Sequence, residues 1–219
     1  MRRGPWKGLR VLITAGPTRE YLDPVRFLTN ASSGKMAFAL ARAARRRGAK
    51  VTLVSGPTTA PAPRGLRNFP VVTAEQMRRR VLAECAASDV VIGAAAVGDW
   101  RFSRPSPRKI KREGPLRVTL LPNKDILAEV GRLRGRGGRA PRVLVGFALE
   151  SGKPFSRARA KLSAKGLDLI VANGLSTLGA DTARVAVLRR GGRWRSFPPL
   201  SKQGTAARIL DCVSEILDA

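Results

Sequence analysis

The sequence predicts an α/β fold: a Rossmann-like, doubly wound, mostly parallel sheet with helices on both faces and a C-terminal hairpin. Three observations carry this. Short apolar runs alternate along the chain with amphipathic segments of helical period, the pattern of repeated βα units. The first run opens into a polar stretch from Gly16 to Met36, GPTREYLDPVRFLTNASSGKM, far longer than an ordinary βα connection of a few residues. A long loop at the carboxyl end of the first strand is where an open α/β sheet builds its site. Finally, Gly191-Gly192 separates two short β-prone runs, a hairpin signal.

Taken in order, Val11–Ala15 is the first strand. Met36–Arg47 is a helix ending at Gly48, a residue suited to the left-handed position beyond a helix. Val51–Ser55 is the second strand, closed by Gly56-Pro57, and Thr58 to Pro70 is a Pro-rich loop. Thr73 and Gln76 form a capping box for a helix to about Ser88. Val90–Ala95 is a fully apolar strand; Val143–Ala148 and Leu169–Ala172 are further buried strands, preceded by helices over about Asp125–Leu133 and Arg157–Lys165. Val185–Leu188 and a run near Trp194 make the hairpin, and a helix over about Gly204–Leu217 closes the chain. A single domain over residues 1–219 is expected, with a lid at about 100–115.

Composition narrows the chemistry. There is no histidine, which removes Ser-His-Asp and Cys-His catalysis, HExxH zinc sites and imidazole acid/base work. What remains is amide, lysine, carboxylate, backbone N–H and a metal held by oxygen. Cys85 and Cys212 are far apart and lack CxxC spacing, so neither a disulfide framework nor a zinc knuckle is expected. The fold starts by Ile13, leaving no room for a signal peptide, and no apolar run reaches the ~18–20 residues of a membrane span. A cytoplasmic protein with no membrane partner is expected. The 42 Lys+Arg against 15 Asp+Glu give +27, a field that attracts polyanions. The arginines fall in scattered runs (Arg45–Arg47, Arg78–Arg80, Arg132 to Arg139), several on helix faces opposite Ala and Leu. That is the pattern of solvated faces. With one Tyr and three Trp, few rings interleave to stack bases, so nucleic acid is expected only through nonspecific charge attraction.

Four segments could carry chemistry. Asn30 is an amide in a Gly/Ser-rich loop, able to orient an activated carbonyl or, alternatively, to serve as an Asx-turn or cap. Ser32, Ser33 and Gly34 precede a helix and could seat a phosphate or simply cap it. Gly93-Ala94-Ala95-Ala96 ends a strand and leads to Val97-Gly98-Asp99-Trp100. Small residues there let a ligand approach the backbone, or a helix pack tightly, and Asp99 could meet a hydroxyl or a metal. Lys109-Ile110-Lys111 lies in a Pro-rich lid and suits neutralisation of a triphosphate, though alone it reads as a solvated basic loop. Lys161 and Lys165 share a helix face. No GxGxxG follows the first strand. SSGK is not a Walker A loop, since Thr29 stands at its first glycine position and Met36 follows Lys35.

Together and in order, GPTRE–LDPVR–TNASSGKM, GAAAVGDW, KIK, PNKDIL, GFALES and KGLDLIVAN resemble phosphopantothenoylcysteine synthetase, the ligase half of the bifunctional flavoprotein of coenzyme A synthesis. The resemblance covers about residues 8–218 and implies a stand-alone synthetase without FMN, its decarboxylase supplied separately. It implies a reaction: 4′-phosphopantothenate attacks the α-phosphate of CTP with Mg²⁺, pyrophosphate leaves, and the amine of L-cysteine displaces CMP from the acyl-cytidylate. It also implies roles. Asn30 would hold the acyl-nucleotidylate carbonyl, and Lys109 would stabilise charge at the transferring phosphorus. Gly93, Ala94, Ala95, Ala96 and Asp99 would line the nucleotide and substrate pocket. Lys124, Asp125, Ile126, Leu127 and Phe147 would surround the nucleotide, with Lys161 and Lys165 its basic grip. Arg26 would reach the neighbouring subunit's phosphopantothenate in a homodimer.

The chain departs from the family pattern at Ala37 (GKMA for GKMG), at Gly98 and Trp100 (VGDW for VADY or VADF), at Lys124 where proline is usual, and in GFALES for GFAAET. Asn30, Asp99 and Lys109 are all retained. Two alternatives stand beside the CTP-dependent ligase: an ATP-using synthetase, and a non-catalytic paralogue that binds nucleotide or polyanion.

Overall fold

The computed structural model describes residues 6–135, 140–150, 154–177 and 179–219. Arg139 of the predicted basic run and Ser151 of the GFALES motif lie outside them. The elements are β1 (Arg10–Ala15), β2 (Arg19–Tyr21), β3 (Phe27–Thr29), α1 (Lys35–Arg46), β4 (Lys50–Ser55), β5 (Arg67–Pro70), α2 (Ala74–Cys85), β6 (Val90–Gly93), β7 (Trp100–Phe102), β8 (Leu120–Pro122), α3 (Ile126–Gly135), β9 (Val143–Glu150), α4 (Pro154–Ala164), β10 (Leu169–Gly174), β11 (Thr182–Ala183), β12 (Val185–Arg189), β13 (Trp194–Ser196), β14 (Leu200–Ser201) and α5 (Lys202–Leu217).

Eight strands form one sheet in the order β13-β12-β10-β9-β6-β1-β4-β5. All neighbours from β5 to β10 run parallel, while β12 and β13 add the antiparallel hairpin around Gly191-Gly192. The predicted fold class is the one observed. Both faces are covered, which is why the central strands read as continuous apolar runs rather than alternating ones. On one face Ile13, Leu53, Ile92 and Val145 pack against α1 and α5 through Leu40, Ala44, Ile209 and Leu210. On the other, Leu12, Val54, Val91 and Leu144 pack against α2, α3 and α4 through Met77, Val81, Val130 and Leu162. Each fully buried Leu or Ile contributes about 1.5–3 kcal/mol. Among the described residues no helix is long and apolar enough to cross a membrane.

Four local expectations change. The Pro-rich loop before Pro70 contains β5, a parallel edge strand, where proline is tolerated because one side of an edge needs no ladder donor. The apolar strand ends at Gly93 rather than Ala95, and the α2 helix ends at Cys85 rather than Ser88. The long first loop folds as the β2–β3 hairpin, and the lid is anchored by the β7–β8 ribbon. The Thr73–Gln76 capping box is present as predicted.

Carboxylates are scarce and shared. Glu75 pairs with Arg78 and Arg79, Glu84 with Arg67 and Arg80, and Asp168 with Arg134 and Arg190. Two of the best satisfied acids tie down the amino-terminal edge of the sheet. Asp168 accepts the Leu144 N–H at 2.8 Å, and Asp89 accepts the Arg10 N–H at 2.8 Å together with the Arg10 guanidinium at 3.0 and 3.2 Å. The Arg10 guanidinium holds the Asp89 carboxyl below its usual range against a burial penalty. Such a carboxylate favours the folded state at all pH values above its unfolded pKa of about 3.9, and that contribution disappears as pH falls below it. Asp89→Asn will therefore lower the melting temperature at pH 7 by roughly 3–6 °C, and the difference from wild type will shrink as pH falls below about 3.9 and on through the lowered pKa of the folded state. Calorimetry across that range checks both.

Candidate active site

β1 and β6 lie side by side in the sheet, yet β1 is followed by β4 on one side and β6 by β9 on the other. Their carboxyl ends thus mark the point where strand order reverses, the usual ligand crevice of an open α/β sheet. The backbone beyond the two strands is stitched together there. The Ala96 N–H donates to Gly16 O at 2.9 Å and the Thr18 N–H to Ala96 O at 3.3 Å. Thr18 is fully buried; its hydroxyl accepts the Gly98 N–H at 2.8 Å. The Thr14 hydroxyl accepts the Ala95 N–H at 3.1 Å.

Asn30 follows β3 and reaches this seam. Its amide nitrogen donates to Ala96 O at 3.2 Å and Val97 O at 3.1 Å. The side chain is therefore a donor to a distant backbone, not an Asx-turn or helix cap, and Oδ1 has no partner among the described residues. The structure brings Asn30 together with Ala96; Ala94 and Ala95 lie just before it in the same half-buried stretch, and Asp99 lies just beyond it. Asp99 is exposed; its backbone carbonyl accepts the Asn123 N–H at 2.8 Å, and Asn123 donates its amide to Gly98 O at 2.8 Å. Lys124 and Asp125 come next in the chain, so Asn123 fixes where they start from the site.

At the start of α1, Gly34 occupies the cap position with φ 75°, no side chain caps the helix and no acid lies in its first turn. The Ser32 hydroxyl accepts only the Gly34 N–H, at 3.4 Å. A helix start with no acid in its own first turn presents the positive end of its backbone dipole. Lys35 pairs with Asp181 at 2.7 Å, which holds the Asp181 carboxyl below its usual range. Burial, reinforced by Lys35, lowers the Lys202 ammonium nearby.

Lys109 is exposed, and its ammonium makes no hydrogen bond or ion pair among the described residues. Its neighbour Ile110 is held by Asp23 and Arg26 of the β2–β3 turn, and the Ser106 N–H donates to Leu22 O at 2.7 Å. The lid thus rests on the hairpin that delivers Asn30.

The other predicted positions spread over both sheet faces. Leu127 and buried Ile126 pack in the core beneath α2–α4; a side chain at Gly93 would meet Leu127 at 2.6 Å, so the smallness of Gly93 serves this packing. Lys165 pairs with Asp125 at 2.7 Å, and Asp125 caps α3 through the Ala128 N–H at 3.0 Å. Lys161 lies one turn earlier on α4. Phe147 packs toward the opposite face, with α1 and α5. A cavity of about 440 Å³ lies further along the same edge, between Asn173, Arg184, Val185 and Phe197, and none of the predicted site residues lines it. Among the described residues no three His, Cys, Asp or Glu side chains gather as a metal site.

A family model described as DNA/pantothenate metabolism flavoprotein C-terminal domain matches residues 6–217. The chain belongs to this family. It is similar to the coenzyme A biosynthesis bifunctional protein CoaBC of Bacillus subtilis, with 43% identity over 218 residues, 97% of this chain and 52% of that protein. The chain spans about half the length of the curated relatives it matches. The crystal structure of the C-terminal domain of a CoaBC bifunctional protein superposes with a TM-score of 0.83 at 36% identity, covering 98% of both chains. A Cab2 mutant in complex with phosphopantothenate-cysteine shares the fold, with a TM-score of 0.77 and 19% identity over 95% of this chain and 87% of that one. Thr14, Thr18 and Asn123 are seam residues that the sequence motifs did not single out. Thr18 stands inside GPTRE and Asn123 inside PNKDIL, so the signal was present, but their partners are backbone atoms that no side-chain pattern displays.

Proposed function

We propose that this protein joins 4′-phosphopantothenate to L-cysteine, using CTP, as a phosphopantothenoylcysteine synthetase of coenzyme A biosynthesis. The observation that carries the reading is the Asn30 amide fastened to the carbonyls of Ala96 and Val97 at the sheet's reversal point, on a hairpin whose turn holds a lid with a lysine that has no protein partner among the described residues. A carboxylate nucleophile needs no base, so the barrier is one of orientation and charge, which suits a site without histidine.

In the first step a carboxylate oxygen of phosphopantothenate bonds to the α-phosphorus of CTP as the bond to the β-phosphate oxygen breaks. Pyrophosphate leaves, and Lys109 neutralises charge growing at the phosphorus. The uncapped start of α1, with Ser32, Ser33 and Lys35, seats phosphate. Asp99, the exposed carboxylate at the seam, would help hold a Mg²⁺ that would neutralise triphosphate charge. In the second step the cysteine amine attacks the acyl carbon, CMP leaves, and the amine loses a proton. The Asn30 amide exchanges one of its two backbone contacts for the intermediate's carbonyl oxygen, and Oδ1 receives an N–H of the incoming amine. Asn30→Ala will consequently still release pyrophosphate but form amide at least ~10²-fold more slowly; equal loss of both steps would remove that role.

The working unit is proposed to be a homodimer. Val25, Phe27 and Leu28 of the first hairpin, and Trp100, Leu120 and Leu121 of the lid ribbon, are exposed large apolar side chains on adjoining elements. A patch of this kind marks an interface. In such a dimer Arg26 is the residue proposed to reach the neighbour's phosphopantothenate.

The test is incubation with 4′-phosphopantothenate and Mg·CTP, with and without cysteine, following pyrophosphate and CMP. Cysteine-dependent CMP and product establish the ligase. Turnover with ATP alone reassigns the nucleotide, and turnover with neither leaves the binding paralogue.

A further inference from the structure

The Asp23 carboxylate is fully buried, although it sits in a hairpin turn whose next residues are all exposed. Its two oxygens have separate tasks. Oδ1 accepts the N–H groups of Val25 at 2.9 Å and Arg26 at 2.8 Å, closing the turn. Oδ2 accepts the N–H of Ile110 at 3.2 Å and pairs with Arg26 Nη1 at 3.2 Å. Arg26 completes the arrangement by donating from Nη2 to Ile110 O at 3.1 Å. Both backbone polar groups of Ile110 are thus held by one ion pair from a turn more than eighty residues away.

A turn of this type needs only the first oxygen, and a serine or asparagine can supply it. The second oxygen and the guanidinium pair with each other across the turn, and from there they reach out to a single residue, Ile110, in a segment that has no regular structure of its own, from Arg104 to Val118. They hold the peptide N–H that Ile110 shares with Lys109 and the peptide C=O that it shares with Lys111. Burial works against the charge on Asp23, yet three backbone donors and Arg26 hold its carboxyl below the usual range. The clamp therefore persists throughout the neutral range.

We infer that Asp23, with Arg26, is a positioning residue for Lys109: by fixing the peptide of Ile110 it sets the backbone of the lid lysine before nucleotide binds. The inference rests on the role proposed above for Lys109. Fixing the root of a flexible lysine reduces the ordering left to the transition state, and misplacement of about 1 Å can cost ~10²-fold in rate.

Two variants separate positioning from folding. Asp23→Ser keeps an acceptor for the turn and removes the second oxygen; Asp23→Asn keeps the turn acceptor and the side-chain shape but sets an NH2, which cannot accept, against the Ile110 N–H. Arg26 variants are unsuitable because that residue is also proposed to touch substrate. Each variant is expected to slow single-turnover pyrophosphate release by roughly 10- to 100-fold, with the subsequent cysteine-dependent step unchanged. In a Lys109→Ala background neither should cause further loss. Trypsin should cut between Arg108 and Arg112 about tenfold faster in both variants, read by mass spectrometry. Unaltered pyrophosphate release, or the same loss with and without Lys109, overturns the positioning role. Should wild type release no pyrophosphate with CTP or ATP, the proposed function fails instead. Proteolysis then still decides whether Asp23 clamps the lid: faster cleavage supports the clamp, and equal cleavage overturns it.

Discussion

Replacing Lys109 by alanine will slow pyrophosphate release by about 10²–10³-fold, while thermal stability stays within about 1 °C of wild type. The rate loss follows from what removing one preorganised charge does to a charged transition state. The stability follows from the environment of the side chain: it is exposed and its ammonium has no protein partner among the described residues, so truncation opens no cavity and strands no buried group. Lys109→Ala should therefore be a catalytic lesion with almost no structural component. Quenched-flow measurement of pyrophosphate in a single turnover, set beside calorimetry, checks both halves. Unchanged pyrophosphate release would remove the lysine from the chemistry.

Gly56→Ala should do the reverse, acting on the fold first. An added Cβ would stand 1.8 Å from the carbonyl oxygen of Pro17 and 2.8 Å from its carbon. Both are backbone atoms, so no rotamer change relieves the clash. Gly56 cannot retreat either, because its N–H donates to Ala15 O at 2.9 Å. The expected cost is about 3–4 kcal/mol, at the upper end for a single substitution. Relief would push Pro17 away from its bridge with Ala96, loosening the seam that Asn30 grips. Gly174→Ala provides the contrast: its Cβ would meet nothing closer than Ser176 Oγ at 3.9 Å, and it should change stability little. Urea unfolding of both variants decides the comparison.

The sequence displayed the layers of this fold more clearly than its margins. Central strands such as Val90–Gly93 are buried on both faces, so their apolar runs are unmistakable. The Thr73–Gln76 box and Gly191-Gly192 announce themselves because the geometry they serve is local. The strands β2, β3, β7 and β8 have three residues each, and most of their side chains are not buried. Too short to show a period, they are held by pairing rather than by core packing. β5 was hidden by Pro70, since proline signals a loop everywhere except at a sheet edge. At the site, Asn30 and Lys109 could be singled out as residue types. That Asn30 faces Ala96 and Val97, or that Asp23 faces Ile110, could not. In each case the partner is a peptide group, identical for every residue in the chain.

The sharing of carboxylates among arginines makes acid the limiting reagent of this surface. With 42 basic residues to 15 acidic ones, removing one arginine from a shared pair leaves its carboxylate with another, whereas removing Glu84 strands Arg67 and Arg80 together. Tolerance to change is thus lopsided at the shared carboxylates: either arginine can drift, and the acid between them cannot. Added salt also works in an unusual direction here. At 0.1 M it screens charges beyond about 10 Å, where an excess of one sign repels itself, and reaches contact pairs far less. Ionic strength should therefore firm this protein rather than loosen it.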